Sequence, residues 1–263
     1  MRPSLVLLLM LLLAAPSFGK SLASIEQDLL QDLKRIHYWA DYENAPDHLS
    51  LPDSVERANE RFRRKLLHYA ATEPATLTAE FRLLRAEHLT IATAPDQQLR
   101  IYSWDTRTGG TMHFFANVYQ FRRGPATVGA RCLPLPAGHT EPGGFYSELF
   151  AVRKGAQTYY LGLAHGIHSS RDCYQQVKVF TIEAGQLNPD ARLIRTASGL
   201  KNTLGFAYDF FSVADRPERP VRLITYDAAT RRLQLPVVWA GGKVTTGRIS
   251  YQFTSTEFVK LNP

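Results

Sequence analysis

HLTIATAPDQQLRIYSWDTRTGGTMHFF, His88 to Phe115, is the stretch in which the chain changes its period. Before it, apolar residues recur every three or four positions. From about His88 they alternate, and β-branched and aromatic residues crowd between Gly, Pro and Asp. A period near 3.6 is one face of a helix and a period of 2 is one face of a strand, so this stretch separates a helical portion from a β-rich one. Upstream, Leu22, Ile25, Leu29, Leu33, Ile36 and Ala40 form one stripe, which predicts a helix over 22–40 with Ser24 and Gln27 as its capping box. Ser50 and Asp53 mark a second helix start, with Pro52 tolerated in the first turn and Val55, Phe62, Leu66 and Tyr69 or Ala70 on its apolar side. A short third helix is expected over 76–84.

Downstream, ten strands are expected, among them 88–93, 99–104, 112–121, 206–213 and 221–226; the longest connection, 122–145, is rich in Gly and Pro. Short connections make neighbouring strands antiparallel. The expected fold is α+β: a helical hairpin and connector over 20–87, then a mainly antiparallel β domain over 88–263 built as a curved sheet, a sandwich or a partial barrel. The turn acids Asp105, Glu183 and Asp227 stand 78 and 44 residues apart. Those steps lie near multiples of the roughly 40-residue blade period, so a small β-propeller is the alternative.

Residues 1–19 read as an export signal, with Arg2, an apolar run from Leu5 to Ala15, and small residues Ser17 and Gly19 before the expected cut. That run is shorter than the roughly 20 residues a bilayer requires, so no transmembrane anchor is expected after cleavage. The 244 remaining residues hold all 29 aromatic side chains except Phe18, enough for a substantial core. The net charge of +7 is spread along the chain, and its densest run, Arg61, Arg63, Arg64 and Lys65, is interrupted by a helical apolar stripe. Nucleic acid is therefore not an expected partner. Cys132 and Cys173 are the only cysteines. Outside the cytoplasm such a pair favours a disulfide, and closing this loop would contribute roughly 4 kcal/mol. No cysteine follows the cut to accept a lipid anchor.

Three segments carry candidate chemistry. WDTRTGGTMHFF places Trp104, Asp105, Thr106 and His113 around a hairpin turn. As a ligand loop, Asp105 would be an acceptor or general base beside aromatic surfaces. As a plain turn, Asp105 and Thr106 would bond backbone groups and the glycines would take positive φ. His165 and His168, in HGIHSSRDC, are a metal-like pair with His113, Asp172 and Cys173 as possible neighbours, although zinc needs three or four ligands. Tyr208 to Arg222 offers Asp209, Asp215 and Glu218 among Arg216, Arg219 and Arg222. Two carboxylates about 5 to 10 Å apart suit glycoside hydrolysis, whereas acids among arginines at a surface make ion pairs. No GxSxG elbow or HExxH helix is present. The phosphate-loop match AAPSFGKS, Ala14 to Ser21, falls on the tail of the signal and is not expected to bind nucleotide.

LRIYSWDTRTGGTMHFF and YDFFSVADRPERPVRLITYD, with the helical start, resemble a group of uncharacterised exported bacterial proteins across most of the mature chain. The resemblance implies export and a shared domain and transfers no catalytic residue. The expectation is an exported, soluble, periplasmic or extracellular protein. It would act as a non-catalytic binding or interaction module of the cell envelope, without a cofactor, on an unknown envelope ligand or protein. An extracytoplasmic hydrolase using Asp105, Asp209 or Asp215, or a metal at His165 and His168, is one alternative; a structural envelope protein is the other.

Overall fold

The computed structural model describes residues 20–41, 51–133 and 143–262. The expected signal and the helix-start residue Ser50 lie outside them. Helix α1 (Leu22–Ala40) is capped by Ser21, whose Oγ accepts the Ser24 amide at 3.2 Å. The helix therefore begins before the expected Ser24–Gln27 box. Helix α2 (Leu51–Thr72) packs along it, burying Phe62 and Leu66 against Ile25, Leu29, Leu33 and Ile36. The expected third helix is split into a 3-10 turn at Pro74–Leu77 and a short α3 (Arg82–Ala86). Phe81 interrupts it with φ 48°, a left-handed conformation in which its ring is buried beside Tyr102.

Strands β1 (Thr90–Thr93), β2 (Leu99–Asp105), β3 (Phe115–Gly124) and β4 (Thr127–Arg131) form a first sheet in chain order. β4 was not expected, because it lies within the Gly- and Pro-rich connection. After β5 (Phe145–Lys154), β6 (Gln157–Ile167), β7 (Asp172–Glu183) and β8 (Gln186–Asn188) come β9 (Ile194–Thr196), β10 (Gly199–Lys201) and β11 (Thr203–Asp209). The second sheet runs β11-β7-β6-β5, with β8 also on β7. β12 (Thr225–Asp227), β13 (Arg232–Val238), β14 (Val244–Phe253) and β15 (Phe258–Lys260) join the two short strands in a third sheet, ordered β10-β9-β15-β14-β13-β12.

Strand alternation stacks these elements in layers. On β2, Tyr102 and Trp104 face the helices, while Leu99 and Ile101 face the second sheet through Tyr146, Tyr160 and Phe180. Leu161, Leu163, Val177 and Val179 then pack the second sheet's other side on Leu233, Leu235, Tyr251 and Phe253 of the third. The result is α+β, with antiparallel pairing throughout except for the parallel contact of β15 with β9. The sheets are open and none closes into a barrel. The third sheet gathers strands from separate stretches, whereas a blade would use consecutive ones.

Two buried polar clusters hold the layers in register. Arg100, 3% exposed, donates to the carbonyls of Thr76 and Ala79 at 2.7 Å each and to Thr93 Oγ1 at 2.8 Å. The Tyr102 hydroxyl lies 2.8 Å from Thr76 O and 2.9 Å from Gln120 Oε1, two acceptors that share its one proton, while Gln120 donates to Ala70 O and Thr76 Oγ1. The connector after α2 is thus tied to the first sheet by side chains. In the second cluster, Gln175 donates to Val221 O at 2.6 Å and accepts from the amides of Leu223 and Ile224. This one side chain satisfies backbone groups that a neighbouring strand would otherwise pair, which is why 221–226 is a strand only from Thr225. Likewise 206–213 ends in a 3-10 turn, Phe210–Val213, capped by Asp209.

The expected disulfide is not formed: Cys132 and Cys173 are both free thiols. Cys132 follows β4 and packs against the helical core, whereas Cys173 lies on β7 among Tyr208, Val213 and Val221. Different layers hold the two sulfurs.

Candidate functional site

Helix α2 and the first and second sheets together line a cleft of about 920 Å³. Its α2 wall holds Glu56, Asn59, Glu60 and Arg63; the first sheet supplies Trp104, Ala116, Asn117 and Tyr119; the second supplies Tyr146, Ala164, Tyr174, Gln176 and Lys178. Phe114, Phe115 and the paired glycines Gly143 and Gly144 border it. A Cβ on Gly144 would meet His165 O at 2.7 Å, so only glycine permits this approach of β5 to β6. Asn117 reinforces the junction by donating to Gly144 O at 3.0 Å while accepting from Ser103 Oγ at 2.6 Å.

Within the cleft the lining is mostly apolar, and its two acids, Glu56 and Glu60, and two cations, Arg63 and Lys178, are differently paired. Arg63 is paired with Glu60 at 2.7 Å and approaches Cys132 Sγ at 3.7 Å. Lys178 lies on the second sheet, its ammonium 5.8 Å from the Phe180 ring centre, with no carboxylate in ion-pair range among the described residues. Burial pushes its pKa down, opposed by the charge of Asp190. Burial also raises the Tyr119 and Tyr146 phenols, the latter to about 12, so both stay neutral.

Trp104 and Thr106 of the expected ligand loop reach this cleft, while Asp105 and His113 pair with each other beside it. Trp104 is 2% exposed, packed edge-on against Phe62, and its indole donates to Asn59 Oδ1 at 2.9 Å; it is a wall rather than an open stacking platform. Asp105 accepts the Arg107 amide at 2.9 Å and meets His113 Nδ1 at 2.6 Å. The positive φ of this turn falls on Arg107, at 57°, rather than on the glycines. Gly109 is required for space instead, since a Cβ there would lie 2.0 Å from Met112 O.

His165 and His168 diverge. His165 is buried, its Nε2 lies 2.7 Å from Ser147 Oγ, and its ring stacks on Phe145; His168 lines the cleft beside Tyr174. Desolvation, followed by the nearby Arg222 charge, lowers the His165 pKa to about 4. No group of three or more His, Cys, Asp or Glu suited to a metal occurs among the described residues. The carboxylates are separated too. Asp209 caps the 3-10 turn and pairs with Arg171 at 2.9 Å, Asp215 and Glu218 lie on an exposed loop, and Asp105 belongs to the first sheet.

No family model, curated protein or solved structure matches this chain.

The residues that sequence reasoning missed are Asn59, Arg63, Asn117, Tyr146, Tyr174 and Lys178. Most lie on regular helices and strands with an ordinary alternating pattern. Only the sharing of one cleft by three layers singles them out.

Proposed function

We propose that the protein is an exported, non-catalytic binding module of the bacterial envelope, and that the cleft beneath α2 seats an apolar ligand with an anionic end. The observation that supports this reading is Lys178: a half-buried ammonium with no carboxylate in ion-pair range among the described residues, lining the same cleft as Tyr146, Tyr174, Phe115 and Ala164. Ligand pockets commonly combine an apolar wall with a few placed polar groups. An anion here would recover the stabilisation that burial denies the lysine. Gln176, on the same strand as Lys178, offers a neutral hydrogen-bonding group to the cleft.

The hydrolase reading draws less support. Ser147 and His165 are within hydrogen-bond range, but a histidine titrating near 4 is a weak base at neutral pH. The acids Asp105 and Asp209 sit on different sheets, Asp105 beside Arg107 and His113 and Asp209 paired with Arg171. Export, to the periplasm or beyond, rests on the signal-like residues 1–19 and on the resemblance.

Filling the cleft tests the proposal. In the Ala116→Trp variant, binding of the apolar anion 1-anilinonaphthalene-8-sulfonate to folded protein should weaken at least fivefold. Unchanged affinity in a folded variant would overturn the assignment of the cleft.

A further inference from the structure

The run RFRRKLLH, Arg61 to His68, reads in sequence as a solvated basic helix face, and the structure divides it. Phe62 and Leu66 enter the core, and Arg63 turns toward the cleft. Arg61, Arg64, Lys65 and His68, spaced at i, i+3, i+4 and i+7, share one flank. That flank is one wall of a separate groove of about 630 Å³, bounded also by Lys20, Asp28, Tyr69 and Glu73.

The lysines of this groove are held in place from beneath. Lys65 Nζ lies 2.7 Å from Asp28 Oδ1 and 2.7 Å from Oδ2 of the fully buried Asp32. Lys20 donates to Tyr69 Oη at 2.7 Å, and Tyr69 donates to Asp28 Oδ2 at 2.5 Å. For Lys65 desolvation lowers the pKa but the Asp28 and Asp32 contacts outweigh it, and for Lys20 the Tyr69 and Asp28 contacts dominate, so both pKa values are raised. The arginines above them are less committed. Arg61 has no ion pair among the described residues, and Arg64 reaches Glu60 only at 3.6 Å. Four Lys or Arg side chains and His68 therefore line a concavity whose acids are Asp28, already engaged by both lysines, and Glu73.

We infer that this groove between α1 and α2 binds a phosphate-class anion, with the guanidinium forks of Arg61 and Arg64 as its direct donors and Lys20 and Lys65 as fixed charges behind them. Guanidinium forks match the oxygens of phosphate, and a doubly charged anion can engage several cations at once. The phosphate could be free or part of a lipid headgroup. This site stands independently of the cleft.

The test uses the mature chain at constant ionic strength, with inorganic phosphate and with vesicles of phosphatidylglycerol or phosphatidylcholine as probes. Arg61→Ala combined with Arg64→Ala should weaken binding at least tenfold. Arg122→Ala combined with Arg123→Ala, an equal change of charge elsewhere, should alter it less than twofold. Response to inorganic phosphate assigns a soluble anion; response to phosphatidylglycerol vesicles alone assigns a headgroup; both outcomes support the groove. Binding of neither probe above chloride controls, or equal losses in the two paired variants, would overturn it. Should the groove pair fail to fold, Arg61→Gln alone decides, with a loss of at least threefold expected and an unchanged affinity contradicting the inference.

Discussion

Trp104 on β2 and Asn59 on α2 are joined by an indole hydrogen bond of 2.9 Å, and the amide of Asn59 in turn donates to Thr106 O at 2.8 Å. One side chain thus fastens the helix to the end of β2 and the start of the turn that follows it, at the wall of the cleft. Replacing Asn59 with Leu would leave the buried indole N–H and the Thr106 carbonyl without this partner. A loss of about 1–3 kcal/mol is expected, read as a lower urea midpoint at unchanged slope.

Gln120 has the same role deeper in the molecule. Gln120→Leu strips the Tyr102 hydroxyl of one partner and leaves Ala70 O and Thr76 Oγ1 without its amide, a cost of about 2–3 kcal/mol. Chemical denaturation gives the value. Amide exchange should show faster opening of 70–79 than of the second sheet if this network ties the connector down.

His165 gives the fold a pH dependence whose sign is set by its depressed pKa. Folded, it titrates near 4; unfolded, near 6.5, so between these values the unfolded chain binds a proton that the folded one refuses. Stability from this group is complete above 6.5 and falls as pH is lowered toward 4, by at most about 3 kcal/mol. Arg222, itself 2.6 Å from Glu148, adds to the cost of protonation. Urea midpoints from pH 7 to 5, above the range of the carboxylates, should fall in the wild type and stay flatter in His165→Gln. Parallel curves would contradict this origin.

The two thiols should both titrate with a thiol reagent after unfolding without reductant. In the folded protein Cys132, half-buried beside the cleft, should react before Cys173, which is buried and whose pKa is raised by desolvation. A protein purified without reductant that shows no titratable thiol would indicate a bridge instead.

Periodicity made the architecture legible. The stripe from Leu22 to Ala40 gave the first helix, and the alternation after His88 marked the β body, because both depend on local spacing. Tertiary demands overrode local patterns at Phe81, which leaves helical φ to bury its ring, and at 221–224, where Gln175 replaces a strand partner. The cysteine pair misled for a similar reason: their number and compartment favour a bridge, but the layering places them apart. Of the candidate site, Trp104 and Thr106 were visible because a turn announces itself in Gly, Asp and Thr. Lys178 was not, since an alternating strand does not reveal which face is left uncovered.

The central claim, that the cleft seats an apolar anion against Lys178, is tested most directly by comparing two probes that differ in a single charged group. 1-Anilinonaphthalene-8-sulfonate and uncharged N-phenyl-1-naphthylamine share the same aromatic body, so a titration of each isolates the contribution of the anion. The account predicts that wild-type protein binds the sulfonate about tenfold more tightly, a difference of about 1.4 kcal/mol, and that Lys178→Met removes this preference while retaining the neutral probe. Equal affinity of the two probes for the wild type, or a preference that survives Lys178→Met, would contradict it.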